Sequence, residues 1–64
     1  MKRSWPELVG VKGEVAAATI VRENPKLGAD IVKEGMMVTM DLRCDRVRVW
    51  VDQNGFVKQT PQIG

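Results

Sequence analysis

Two arginines, Arg46 and Arg48, fall within a sharply alternating run, Asp45-Arg46-Val47-Arg48-Val49-Trp50-Val51-Asp52. A strand over residues 45–52 would send Val47, Val49 and Val51 to one side and Arg46, Arg48 and Trp50 to the other. A guanidinium is a planar, permanently charged donor of several hydrogen bonds. Two on one strand face can therefore hold acceptors at two points of a neighbouring segment. Such acceptors lie a few residues upstream, where Thr39 and Asp41 flank Met40. Val38, which is β-branched, and Thr39 favour an extended backbone ahead of Met40. Trp50, on the arginine face, offers that segment an apolar floor. The arrangement suits presentation of a stiffened, extended peptide.

An extended peptide is the form in which proteases bind substrates. Met40 can enter an apolar specificity pocket, where full burial is worth roughly 1.5–3 kcal/mol. Stiffening lowers the ordering entropy lost on binding. It also changes the fate of the Met40–Asp41 bond. If both sides of a cut bond stay held, the new amine remains poised to attack the acyl-enzyme. Effective molarities for well-held groups reach about 10⁵ M or more, so re-formation can outrun hydrolysis. The expected activity is reversible, substrate-like inhibition of a serine endopeptidase.

Other functions fit less well. Sixty-four residues make one domain, near the lower limit for folding without a metal or disulfide. Histidine, the commonest general base, is absent. No carboxylate pair or Ser–Lys spacing suggests catalysis, so the chain is not expected to be an enzyme. Cys44 is the only cysteine, and one thiol makes no metal site. Met36, Met37, Met40 and Cys44 could be read as soft copper(I) ligands, but ordinary apolar loop residues explain them better, and no cofactor is expected. The net charge of +2 is mildly basic. Arg43, Arg46 and Arg48 cluster, which leaves a small polyanion- or nucleic-acid-binding module as the alternative. The lysines are scattered and stacking aromatics are few, against that alternative. No apolar run approaches the ~20 residues of a membrane span. No signal-peptide pattern opens the chain, since Met1-Lys2-Arg3-Ser4 leads straight into Trp5-Pro6. A monomer is expected.

The elements that must position this loop can be read in turn. Ser4-Trp5-Pro6-Glu7-Leu8-Val9-Gly10 is too short and Pro-punctuated for a regular element, and reads as an arm pinned by Trp5 with a turn at Gly10. Residues 13–24 have helical composition, with Val15, Ala16, Thr19 and Ile20 on one face and Pro25 as the stop. The helix start lacks a good cap at Lys12-Gly13, a cost of about 1 kcal/mol. Residues 27–32 suggest a first strand, with Leu27, Ala29 and Ile31 at period two. Asn54-Gly55 marks a tight reversal, and Phe56-Val57 begins a short closing strand. Between the two long strands, residues 33–44 form a connection with a turn at Gly35 and no further Gly or Pro. A long connection in a small domain is usually functional.

Taken together, these motifs resemble the potato inhibitor I family of serine protease inhibitors. The resemblance runs along essentially the whole chain. It rests on Ser4-Trp5-Pro6-Glu7-Leu8-Val9-Gly10, on Glu34-Gly35 with Val38-Thr39-Met40-Asp41-Leu42-Arg43, on Asp45-Arg46-Val47-Arg48-Val49, and on the segment from Pro61 to Gly64. It implies an α+β fold over residues 1–64, with one α-helix packed on a small mixed β-sheet and a long exposed binding loop at about 35–44. It further implies that Met40 precedes the reactive bond and Asp41 follows it. Met37, Val38, Thr39, Leu42 and Arg43 would contact the protease. Arg46 and Arg48 would brace the loop through Thr39 and Asp41, with Gly64 helping to anchor them. Methionine before the bond is similar to members acting on chymotrypsin-like and subtilisin-like proteases, whereas lysine there marks trypsin inhibitors. Squash- and flax-type members pair a cysteine matching Cys44 with one near the N-terminus, and this sequence has none there. The resemblance is compatible with a secreted or vacuolar setting.

Overall fold

A computed structural model of the chain describes residues 3–36 and 44–63. The helix α1 spans Gly13–Glu23. Its three consecutive alanines are strong helix formers, and it stops at Asn24, one residue before Pro25. There the Asn24 side-chain oxygen accepts a hydrogen bond from the Lys26 N–H at 3.2 Å, and its carbonyl accepts from Leu27 N–H at 3.0 Å.

The buried line along α1 is Gly13, Ala16 and Ile20. This corrects part of the expected face: Ala16 and Ile20 point inward, but Val15 is 51% exposed. Thr19 is half-buried, and its hydroxyl donates to the Val15 carbonyl at 2.8 Å. The physical reason lies at Gly13. A Cβ there would sit 2.6 Å from Val51 Cγ1, so the first turns of the helix meet the sheet through Gly13 and Ala16, and Val15 turns to the rim. The uncapped start is also compensated. Lys12 makes no side-chain cap, but the Gly13 N–H donates to the Gly55 carbonyl at 2.8 Å.

The sheet has three strands in the order β1-β2-β3, with β1 at Gly28–Lys33, β2 at Arg46–Val51 and β3 at Gln62–Ile63. β1 runs parallel to β2, with Gly28 opposite Arg46, Asp30 opposite Arg48 and Val32 opposite Trp50. β3 runs antiparallel to β2, pairing Val47 with Ile63 and Arg48 with Gln62. The alternation read in residues 45–52 holds: Val47, Val49 and Val51 are buried in the core against the helix side.

The first strand is shifted by one residue from the expected 27–32, running over Gly28–Lys33. Leu27 is buried just ahead of β1 and Ala29 is half-buried, but Ile31 is 44% exposed while Val32 is buried. β1 is an edge strand, so Ile31 stands at the margin of the helix–sheet contact, near Gly13. Val32 faces the other side, next to Trp50.

The core joins Trp5, Leu8, Ala16, Ile20, Leu27, Val47, Val49, Val51 and Val57. The arm contains a short 3-10 helix at Pro6–Leu8, where the sequence predicts no regular element. Trp5 pins it as expected. Its ring is buried, its indole N–H donates to Glu23 Oε1 at 3.1 Å, and its backbone N–H donates to the Pro61 carbonyl at 3.0 Å. After β2 the chain reverses at Asn54-Gly55, where Asp52 Oδ1 accepts from the Asn54 and Phe56 N–H groups at 2.9 and 3.1 Å. Phe56 and Val57 then form single bridges to Lys12 and Val51, and the closing strand proper is β3. Among the described residues, no helix is long and apolar enough to cross a membrane.

Candidate functional site: the face of the central strand and the stems of the loop

Parallel pairing of β1 and β2 explains why residues 34–45 are a long connection. The end of β1 and the start of β2 lie at opposite ends of the sheet. Five intervals of about 3.3 Å separate them, so the chain must travel back roughly 17 Å. Such crossovers are usually helices; here the connection contains Met36, Met37, Val38 and Met40 in a stretch without helical periodicity.

Both stems of this connection are fixed to the sheet. On the outgoing side, the Glu34 N–H donates to the Val51 carbonyl at 3.0 Å. The Met36 N–H donates to the Lys33 carbonyl at 3.0 Å, with Gly35 at φ +89°. A positive φ at the third residue of a hydrogen-bonded four-residue turn is the type II pattern, which favours glycine there. Met36 Sδ accepts from the Lys33 N–H at 3.3 Å, so this methionine is tied to the stem although its surface is half open. On the returning side, the Asp45 carbonyl accepts from the Gly28 N–H at 2.8 Å.

Away from the helix, β2 presents Arg46, Arg48 and Trp50. Arg46 is only 7% exposed, deep for a residue type that is seldom buried without partners. It stands opposite Gly28, which has no side chain to compete for the space. Arg48 is half-buried between Asp30 on β1 and Gln62 on β3. Neither arginine is without a partner, and among the described residues no buried side-chain nitrogen or oxygen lacks a hydrogen bond. Beside them lies an open groove of about 500 Å³, lined by Arg48, Trp50, Gln59, Thr60, Gln62 and Ile63. Burial of Arg46 removes it from the surface that a polyanion-binding cluster with Arg43 and Arg48 would need.

The structure thus brings Arg46, Arg48 and Trp50 onto one face, as the alternation required. Met37, Val38, Thr39, Met40, Asp41, Leu42, Arg43 and Gly64 lie outside the described residues. Cys44 is a free, exposed cysteine. Among the described residues, no group of three or more His, Cys, Asp or Glu is placed to hold a metal ion. Sequence reasoning missed one feature of the stem, an ion pair between Lys58 Nζ and Glu34 Oε1 at 2.7 Å. Twenty-four positions separate the two residues, and no local pattern links them.

The comparison with known proteins agrees with this architecture. The family model described as Potato inhibitor I family matches residues 1–64. The chain is 59% identical over 63 residues to the Glu S.griseus protease inhibitor of Momordica charantia, covering 98% of this chain and 93% of that protein. It is 56% identical over 63 residues to the inhibitor of trypsin and Hageman factor of Cucurbita maxima, with the same coverage. Among solved structures, the crystal structure of bitter gourd trypsin inhibitor superposes with a TM-score of 0.94 at 56% identity, covering 98% of this chain and 93% of that one. The chain has the fold of these inhibitors, and its family and relatives make it a protease inhibitor and not an enzyme. The chain belongs to the potato inhibitor I family.

Proposed function

We propose that residues 1–64 form a single inhibitory domain that blocks serine endopeptidases of chymotrypsin and subtilisin type, acting as a monomer. The loop of about residues 35–44 offers Met40–Asp41 as a substrate-like bond, Met40 entering an apolar pocket. Met37, Val38, Thr39, Leu42 and Arg43 complete the contact. Arg46 and Arg48 brace the loop through Thr39 and Asp41, and Gly64, next after the Ile63 that pairs with Val47, helps anchor the arginines.

The observation that carries this reading is the placement of Arg46 and Arg48. Both project from β2 on the side away from the helix, at the end of the sheet where the loop returns, and neither lacks a partner. The target class rests on Met40. Two relatives well over half identical to this chain are named for different proteases, one for a Glu S.griseus protease and one for trypsin and Hageman factor. One scaffold thus carries inhibitors named for different proteases, and the residue before the reactive bond, the one that enters the specificity pocket, is the natural determinant.

Titration against chymotrypsin, subtilisin and trypsin, followed by the mass of any slowly cut product, tests the reading. Tight inhibition of the first two, weaker inhibition of trypsin and a cut after Met40 are expected. Strongest inhibition of trypsin would remove the specificity claim. Rapid cutting with no lag in enzyme recovery would remove the mechanism.

A further inference from the structure

The ion pair between Glu34 and Lys58 straddles the end of β2. Glu34 comes from the β1 side, and its N–H donates to the Val51 carbonyl at 3.0 Å. Lys58 comes from the opposite side: Val57 bridges to Val51, and the Lys58 N–H donates to the Trp50 carbonyl at 2.9 Å. The two backbones are thus anchored to successive carbonyls of β2 before their side chains meet at 2.7 Å. Glu34 is also the residue at which the outgoing chain leaves the sheet. It is followed at once by the Gly35 turn and by Met36, whose N–H closes that turn on Lys33.

We propose that Glu34 and Lys58 are positioning residues for the inhibitory loop, fixing the angle at which its outgoing limb departs; this rests on the inhibitory reading above. The two arginines act from the start of β2, at the returning end. A loop held at one end only would still swing about the other, and bond re-formation needs both sides of the cut in place. The ion pair supplies the hold at the outgoing end. Its ordering cost is reduced because both backbones are already fixed.

The Glu34 and Lys58 side chains are 48% and 38% exposed, so the effect is modest, roughly two- to fivefold, as for exposed ion pairs. Salt should weaken it.

The test uses Glu34→Gln, Lys58→Gln, the double Gln variant and the charge-swapped E34K/K58E. The readouts are hydrogen exchange at the Met36 amide and the rate at which saturating chymotrypsin hydrolyses the reactive bond. Each single variant should raise both by roughly two- to fivefold, the double Gln variant should add little, and the swap should restore most of the loss. Exchange at the Val47 and Val49 amides should not change. Unaltered Met36 exchange, an increase shared with the core amides, or failure of the swap to rescue would overturn the proposal. If the parent chain inhibits no protease, the inhibitory reading falls, while Met36 exchange still decides whether the pair holds the limb.

Discussion

Gly13 of the helix lies so close to Val51 of the central strand that a Cβ on it would come within 2.6 Å of Val51 Cγ1. The contact sets the height of α1 above the sheet and lets the Gly13 N–H reach the Gly55 carbonyl at 2.8 Å. Alanine at this position gains helix propensity but must displace a valine that is itself fully buried. Overpacking typically costs about 1–3 kcal/mol, more than the propensity gain of up to about 1 kcal/mol. Gly13→Ala should therefore lower stability by about 1–2 kcal/mol in urea unfolding. A more stable variant would show that the helix can lift without loss.

One residue earlier the sign reverses. Lys12 has the extended conformation of an N-cap, φ −62° and ψ 141°, but no side-chain cap. Lys12→Ser should provide one and add about 1 kcal/mol, raising Tm by about 4–8 °C for a domain of this size. Protease inhibition should change little, because the substitution alters only the Lys12 side chain and leaves the Gly13 N–H bond to the Gly55 carbonyl in place. Thermal unfolding and an inhibition titration together check both halves.

At the proposed reactive bond, Met40→Lys would place a cation before the scissile position. It should shift preference towards trypsin, about ten- to hundredfold in relative inhibition constants, the worth of a charge-assisted hydrogen bond. A panel against trypsin, chymotrypsin and subtilisin reads this directly, and an unmoved preference would strip Met40 of its assigned role.

The two arginines should separate by their burial. Arg48, half-buried, can be cut back to alanine with the main loss in inhibition, about 1–3 kcal/mol, and faster cleavage of the loop. Arg46 is buried, so Arg46→Ala should also strand its former partners and lower global stability by a similar amount. Paired unfolding and cleavage-rate measurements distinguish them. Equal stability losses with no change in cleavage would argue against bracing.

The local elements were largely legible in the sequence because local rules fix them. Valines alternating with Arg46, Arg48 and Trp50 can form only a strand with one apolar and one polar face. The alanines ahead of Pro25 bound a helix within one residue of its observed end, and Trp5 announced its own burial. The family itself stood in contiguous motifs. Val15 and Ile31 sit on the expected elements, but both are largely exposed, at 51% and 44%. Periodicity gives the direction of a side chain, not how far the opposing element extends to cover it.

What only the tertiary structure decided is how distant segments meet. The parallel direction of β1 relative to β2 makes the loop a crossover the length of the sheet, and nothing within either strand encodes it. The rotation of α1 onto Gly13, Ala16 and Ile20 depends on Val51, 38 positions away from Gly13 in number but touching it in space. The link from Glu34 to Lys58 depends on two carbonyls of β2 that bring their backbones to one place. Sequence periodicity reports each segment's preference for a face; which faces then come together is set by the packing of the whole chain.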